Sequence, residues 1–185
     1  MALTNLKIVN MALSEIGAKT ITDFSDKSDI QLEDTYNHIR DKLLMRHPWN
    51  FAQARDTIEP NDDAPDFEWD YEYDLPYDYL GNATLYESDA DFKIEGNTLL
   101  CNDNIIYLKY TAQITDVSAY SPLFIELLIL ELASELAITI SNDQVMKDRL
   151  LLELEQKFLD NAVTNVNEGY VPEAEEETTW QSTGH

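Results

Sequence analysis

The stretch from Leu123 to Ile140 constrains this chain more than any other. It is apolar around more than half of a helical circumference, too much for a helix that shows one face to water. It also carries Glu126, Glu131 and Glu135. Three acids at depth in a bilayer cost too much for an ordinary span. The segment therefore has to be enclosed by protein, at the centre of its own fold or against a neighbouring subunit. Ser121-Pro122 marks its start, a capping serine followed by proline at the first helical position.

Three further helices carry a single apolar stripe each and need a partner for it. Thr4 is placed to cap a helix over residues 4–16, with Leu6, Val9, Leu13 and Ile16 at helical spacing and Gly17 as its stop. Ser28-Asp29-Ile30-Gln31 fits a capping box, and the helix after it sets Leu32, Tyr36, Ile39 and Leu43 on one face before Pro48 ends it. Ser141-Asn142-Asp143-Gln144 reads as a second capping box, opening a helix to about Val166. Its expected inner stripe is Leu151, Leu154, Phe158 and Ala162, with Arg149–Glu153 and Glu153–Lys157 as outer pairs.

Between the second and third helices the period changes from helical to alternating. Phe67 to Asp74 alternates aromatic and acid without a break, which predicts a strand with one aromatic and one carboxylate face. Phe92 to Glu95, Thr98 to Cys101 and Ile105 to Tyr110 are further strand candidates, with Gly96-Asn97 and Asn102-Asp103-Asn104 as turns. The expected fold class is α+β: a four-helix bundle with a small antiparallel β lobe inserted between helices 2 and 3, and an extended C-terminal arm. The expected divisions are 1–48 and 121–167 for the bundle, 49–120 for the β-rich lobe, and 168–185 for an acidic, extended or disordered arm.

Charge then narrows the function. The 185 residues hold 36 acids against 12 bases, a formal charge of −24. Thirteen of the acids lie in residues 56–91 and five in residues 168–185, and neither block holds a base. A phosphate-binding face needs bases, so an ordinary nucleic-acid binder is excluded, as is a partner membrane of anionic lipid. A single cysteine, Cys101, excludes an internal disulfide framework and a cysteine zinc site and fits a reducing compartment. The N-terminus lacks the uninterrupted apolar run and cleavage site of a secretory signal.

Motifs for chemistry are sparse. No glycine-rich phosphate loop and no Gly-x-Ser-x-Gly elbow occurs. His47 sits at a helix end, where an imidazolium suits the dipole. His38 shares a helix face with Asp34 and Asp41, a spacing open to a divalent metal or to plain salt bridging. Asn61-Asp62-Asp63 and Asn102-Asp103-Asn104 are acidic turns without the spacing of an EF-hand loop. Paired carboxylates for glycan hydrolysis are available among so many acids, but nothing singles out two. No catalytic residue, cofactor or metal is assigned. The candidate interface residues are Leu128 and Leu132 on the apolar helix, Trp69, Tyr71 and Tyr73 on the aromatic strand, and Trp180 in the arm.

The landmarks carry more in order than singly. His47-Pro48-Trp49-Asn50-Phe51-Ala52 closes a helical hairpin, with Arg55 just after. Trp69, Tyr73-Asp74-Leu75-Pro76-Tyr77-Asp78-Tyr79-Leu80 and Phe92-Lys93-Ile94-Glu95-Gly96 follow. Then come Leu108-Lys109-Tyr110, Val117, Ser121-Pro122-Leu123-Phe124 and Leu132-Ala133-Ser134-Glu135-Leu136-Ala137. From about residue 3 to residue 169 this series resembles the tail tubular protein A family, the head-to-tail adaptors of short-tailed phages and related prophages. The resemblance implies a structural virion protein of the tail or neck, made in the host cytoplasm. It implies a homo-oligomeric ring, typically a dodecamer, that joins the portal protein to the tail nozzle protein. Genome DNA passes through the lumen of such a ring without specific binding, and no membrane is involved. The helices are then the ring-building part and the β lobe contacts the tail. The competing expectation is a cell-wall glycan hydrolase, alone or as an activity added to such an adaptor.

Overall fold

A computed structural model describes residues 3–25, 27–86, 88 and 90–168, with backbone alone at 27–30 and 161–168. Four helices and six strands follow in the order α1 (Asn5–Glu15), α2 (Lys27–Arg46), β1 (Gln53–Ile58), β2 (Tyr71–Asp74), β3 (Tyr79–Tyr86), β4 (Phe92–Glu95), β5 (Thr98–Cys101), β6 (Ile106–Ala112), α3 (Pro122–Ser141) and α4 (Gln144–Glu168). Single 3-10 turns at Asn50–Ala52 and Val117–Ala119 lead into β1 and α3.

Local chemistry accounts for most helix ends. The Thr4 side chain accepts from the Lys7 N–H, and Gly17 at φ +68° closes α1 while the Ala18 N–H reaches back to the Leu13 carbonyl. The Ser121 hydroxyl accepts from the Phe124 N–H, with Pro122 at the first helical position of α3. Two starts differ from expectation. Ser28 lies inside α2, which begins at Lys27. Ser141 is the last residue of α3, and Asp143 caps α4 by accepting from the Met146 N–H at 2.9 Å. Asn142 takes the left-handed conformation between the two helices, so the carboxylate one residue later holds the capping position.

The expected four-helix bundle with one small β lobe is corrected. The fold is α+β, but α3 is a hub on which α1, α2 and α4 each pack, and α3 with α4 supplies most of the helical residues. The cause is the composition of α3. Eleven of its residues are buried, from Phe124 through an unbroken run Leu127–Ser134 to Leu136 and Ala137, so neighbours close on it from several sides. The strand region is two three-stranded antiparallel sheets, ordered β1-β6-β3 and β2-β5-β4. Tyr73, Leu99 and Cys101 from one sheet share a buried cluster with Ile106, Leu108, Tyr110 and Ala112 from the other. Each sheet thus covers the apolar face of its fellow.

The alternation at Phe67–Asp74 yields a strand only over Tyr71–Asp74. Glu68 stands at φ +74°, which breaks the extended backbone, and Phe67 is left exposed. The flanking strands β1 and β3 carried weaker signals. β3 holds Gly81 and Asn82 at register shifts, with Asn82 at φ +56°, which interrupts its alternation. The expected extended C-terminal arm lies outside the described residues, apart from Glu168 at the end of α4.

A ring cluster locks the helices to the strands. Trp49, buried just past α2, meets Phe124 edge-on at 5.1 Å between ring centres and Phe51 at 5.9 Å. Phe51 in turn contacts Phe124 and Tyr120. The Trp49 indole N–H donates to the Leu43 carbonyl at 2.9 Å, so a bare carbonyl near the end of α2 is satisfied from the same ring. Asn82 of β3 donates to the Met45 carbonyl at 3.0 Å, and Gln113 donates to Asp41 at 2.7 Å. Trp49→Ala is expected to cost about 3–5 kcal/mol in urea unfolding, the usual range for deleting a buried large aromatic. A loss below about 1 kcal/mol would mean that the corner is not a structural joint.

Candidate functional site

The interface candidates fall into different environments. Leu128 and Leu132 are completely buried in the chain's own helical core and offer no surface to a neighbour. Tyr73 is also fully buried, between the two sheets, and its hydroxyl donates to the Asp103 carbonyl. Burial pushes the Tyr73 phenol up to about 12, with the nearby Cys101 and Asp103 acting in the same direction. Tyr71 is half-buried and packs against that cluster, and Trp69 is half-buried two residues before it. The Trp69 indole N–H is buried and has no hydrogen-bond partner among the described residues. Trp180 lies outside the described residues. The structure therefore brings Trp69, Tyr71 and Tyr73 to one region and sets the α3 leucines in another.

The expected chemistry-bearing groups are dispersed. His38 lines a cleft of about 620 Å³ between α2, α3 and α4, with Asp34, Lys42, Glu131, Glu135 and Lys147. Lys42 meets Glu131 at 2.7 Å and Lys147 meets Glu135 at 3.3 Å, so two of the carboxylates are already neutralised. Asp41 is engaged by Arg40 and Gln113. Among the described residues no group of three or more His, Cys, Asp or Glu is gathered that could hold a metal ion. No helix among them is long and apolar enough to cross a membrane.

Within the cleft Glu131 is nearly enclosed, and its second carboxylate oxygen has no partner among the described residues. The Lys42 ammonium is the group that makes this buried charge tolerable. Of the outer pairs expected within α4, Glu153 acts on Lys157, and α4 also forms ion pairs with the other helices. Lys157 reaches Glu126 of α3 at 3.0 Å, and Arg46 of α2 pairs with Glu155 while lying 4.3 Å over the Phe158 ring. Glu126 and Glu135, which excluded a membrane span, thus face α4 as its electrostatic contacts.

Four features escaped the sequence reading. Leu150, not Leu151, is the fully buried partner of Leu154 on α4. An exposed line of Val145, Leu152 and Leu159 on the opposite side was passed over, and its seven-residue spacing was the available signal. The bases Arg55 and Lys109 stand directly opposite one another on β1 and β6. Tyr86 and Tyr107 pair across β3 and β6 and are both exposed.

Compared with family models and with curated proteins, the chain matches none.

His47 departs from its expected role as a helix-end cation. It packs edge-on against Trp49 at 4.9 Å, and burial pushes its imidazole below the ordinary 6.5. A lowered pKa means that the unfolded chain binds the proton more readily than the folded one. The contribution of His47 is therefore fully present above pH 6.5 and is lost as pH falls through the lowered folded value. His47→Gln is expected to flatten this part of the acid limb in a stability–pH series. An unchanged limb would show that the ring protonates freely in the folded chain.

Proposed function

We propose that this chain is a structural virion protein, a head-to-tail adaptor. Copies assemble as a homo-oligomeric ring in the neck of the particle, join the portal to the tail nozzle, and line part of the conduit through which DNA is ejected. One observation carries the reading. The landmarks His47–Ala52 and Ser121–Phe124, far apart in sequence, pack directly on each other through Trp49, Phe51 and Phe124. The series of motifs that resembles the adaptor family thus includes two that build one joint between helices and sheets.

Charge supports the same reading. A chain with 36 acids and 12 bases repels a passing polyanion, because counterion release needs bases that contact phosphate. Such a surface suits a channel that DNA must slide through.

The purified chain, mixed with the portal rings of the same genome, is expected to add a ring-shaped layer with an open channel in negative-stain electron microscopy. It is expected to leave duplex DNA unshifted at moderate salt and to leave a peptidoglycan zymogram uncleared. A chain that ignores portal rings contradicts the adaptor reading. A cleared zymogram moves the function to glycan hydrolysis.

A further inference from the structure

Among the described residues, two exposed surfaces group apolar side chains, while Phe67 and Tyr77 also stand exposed. The first is the outer side of α4. Val145, Leu152 and Leu159 are 81%, 61% and 68% exposed. Seven residues apart, they form one line along the helix, the period of a seam that packs against another element. Exposed acids border it at Asp148, Asp160 and Glu155, the last already paired with Arg46 of α2. Arg149 is on the same side, with its guanidinium 3.0 Å from the Met146 sulfur.

The second surface is the outer face of the β1-β6-β3 sheet. There the register sets Arg55 beside Lys109 and Thr57 beside Tyr107, with Tyr86 on the far side of Tyr107. Together they bound a groove of about 550 Å³, with Asp56 also in its lining. Like charges directly opposite on neighbouring strands destabilise a sheet. Six other bases of the chain each stand within 3.3 Å of a carboxylate. Arg55 and Lys109 have no such partner among the described residues. In a chain with three acids for every base, an uncompensated basic pair flanked by exposed tyrosines suits an acidic, apolar-lined surface.

We infer that α4 of one copy lies across this sheet face of the next copy. Leu152 and its neighbours in the line meet Tyr86 and Tyr107, and the acids along α4 face Arg55 and Lys109. Pairing α4 with α4 would set three acids against three with Arg149 as the one base on each side, and pairing sheet with sheet would set Arg55 and Lys109 against their copies. The mixed pairing joins the acidic surface to the basic one. A contact between two different patches is heterologous, so repeating it builds a ring or a filament rather than a closed pair. The inference rests on the ring reading and names the surfaces that build the ring.

Cys101 is buried, so a cysteine introduced at the surface is the reactive one. Full-length Leu152→Cys and Thr57→Cys chains, one carrying a mass tag, are mixed with portal rings under mild oxidation. The expected product is a disulfide dimer that joins one chain of each kind. Arg55→Glu with Lys109→Glu in the Thr57→Cys chain is expected to cut its yield about tenfold, the effect of losing two exposed ion pairs of about 0.7 kcal/mol each. Asp148→Lys with Gln156→Lys in the Leu152→Cys chain is expected to restore it. Circular dichroism of each variant checks that the fold is kept. Dominant dimers of two Leu152→Cys chains, or a mixed yield indifferent to charge reversal, overturn the inference. Rings that form on the portal without the mixed dimer overturn the contact alone. The absence of any ring overturns the adaptor reading as well.

Discussion

The enclosure of α3 is the constraint on which the rest of the structure depends. A helix with buried residues on nearly every side leaves few positions for polar contact. α1, α2 and α4 therefore supply walls, and the ion pairs Lys42–Glu131, Lys147–Glu135 and Lys157–Glu126 sit where those walls meet the three acids of α3. Each burial of a large aliphatic side chain contributes about 1.5–3 kcal/mol, whereas an exposed ion pair contributes at most about 1 kcal/mol. Packing thus decides that the helices gather on α3, and the charged pairs fix how α2 and α4 are oriented on it.

The two small sheets depend on the same hub through one corner. Each has three strands, the fewest that can be stable, and only with its apolar face covered. They share a core, and Trp49, Phe51 and Tyr120 tie the chain entering and leaving them to Phe124 at the start of α3. The corner is also where the main-chain groups at the end of α2 find their partners, through Trp49 and Asn82. With both cores closed in this way, the outer surfaces of the described residues, the α4 line and the open sheet face among them, are what a partner can meet.

Much of this was legible in the sequence where one physical signal dominated. Ser121-Pro122 set the start of α3, Gly17 the end of α1, and the spacing of Tyr36, Ile39 and Leu43 the inner side of α2. The fork left open for α3, own centre or neighbouring subunit, is closed by three-dimensional packing that no local pattern encodes. Failures came where two signals competed. The unbroken alternation at Phe67–Asp74 was overridden by the turn at Glu68, and the Ser141 capping box by the better-placed Asp143. On α4, Leu151 packs against the core as expected, but apolar residues occur on both sides of the helix, and the line that starts at Val145 was passed over. The opposition of Arg55 and Lys109 depends on the register between strands separated by most of the β region, which sequence spacing cannot supply.

Helix α3 is completed by its own chain, so that each copy is a folded unit before it meets another. Native-state hydrogen exchange on the dilute full-length chain tests this most directly. The amides of Leu127–Leu132 are expected to exchange only through global unfolding and to be among the slowest in the protein, at concentrations where no assembly forms. Rapid exchange of those amides in the dilute chain, with protection gained only on assembly, would contradict it and make α3 an element shared between subunits.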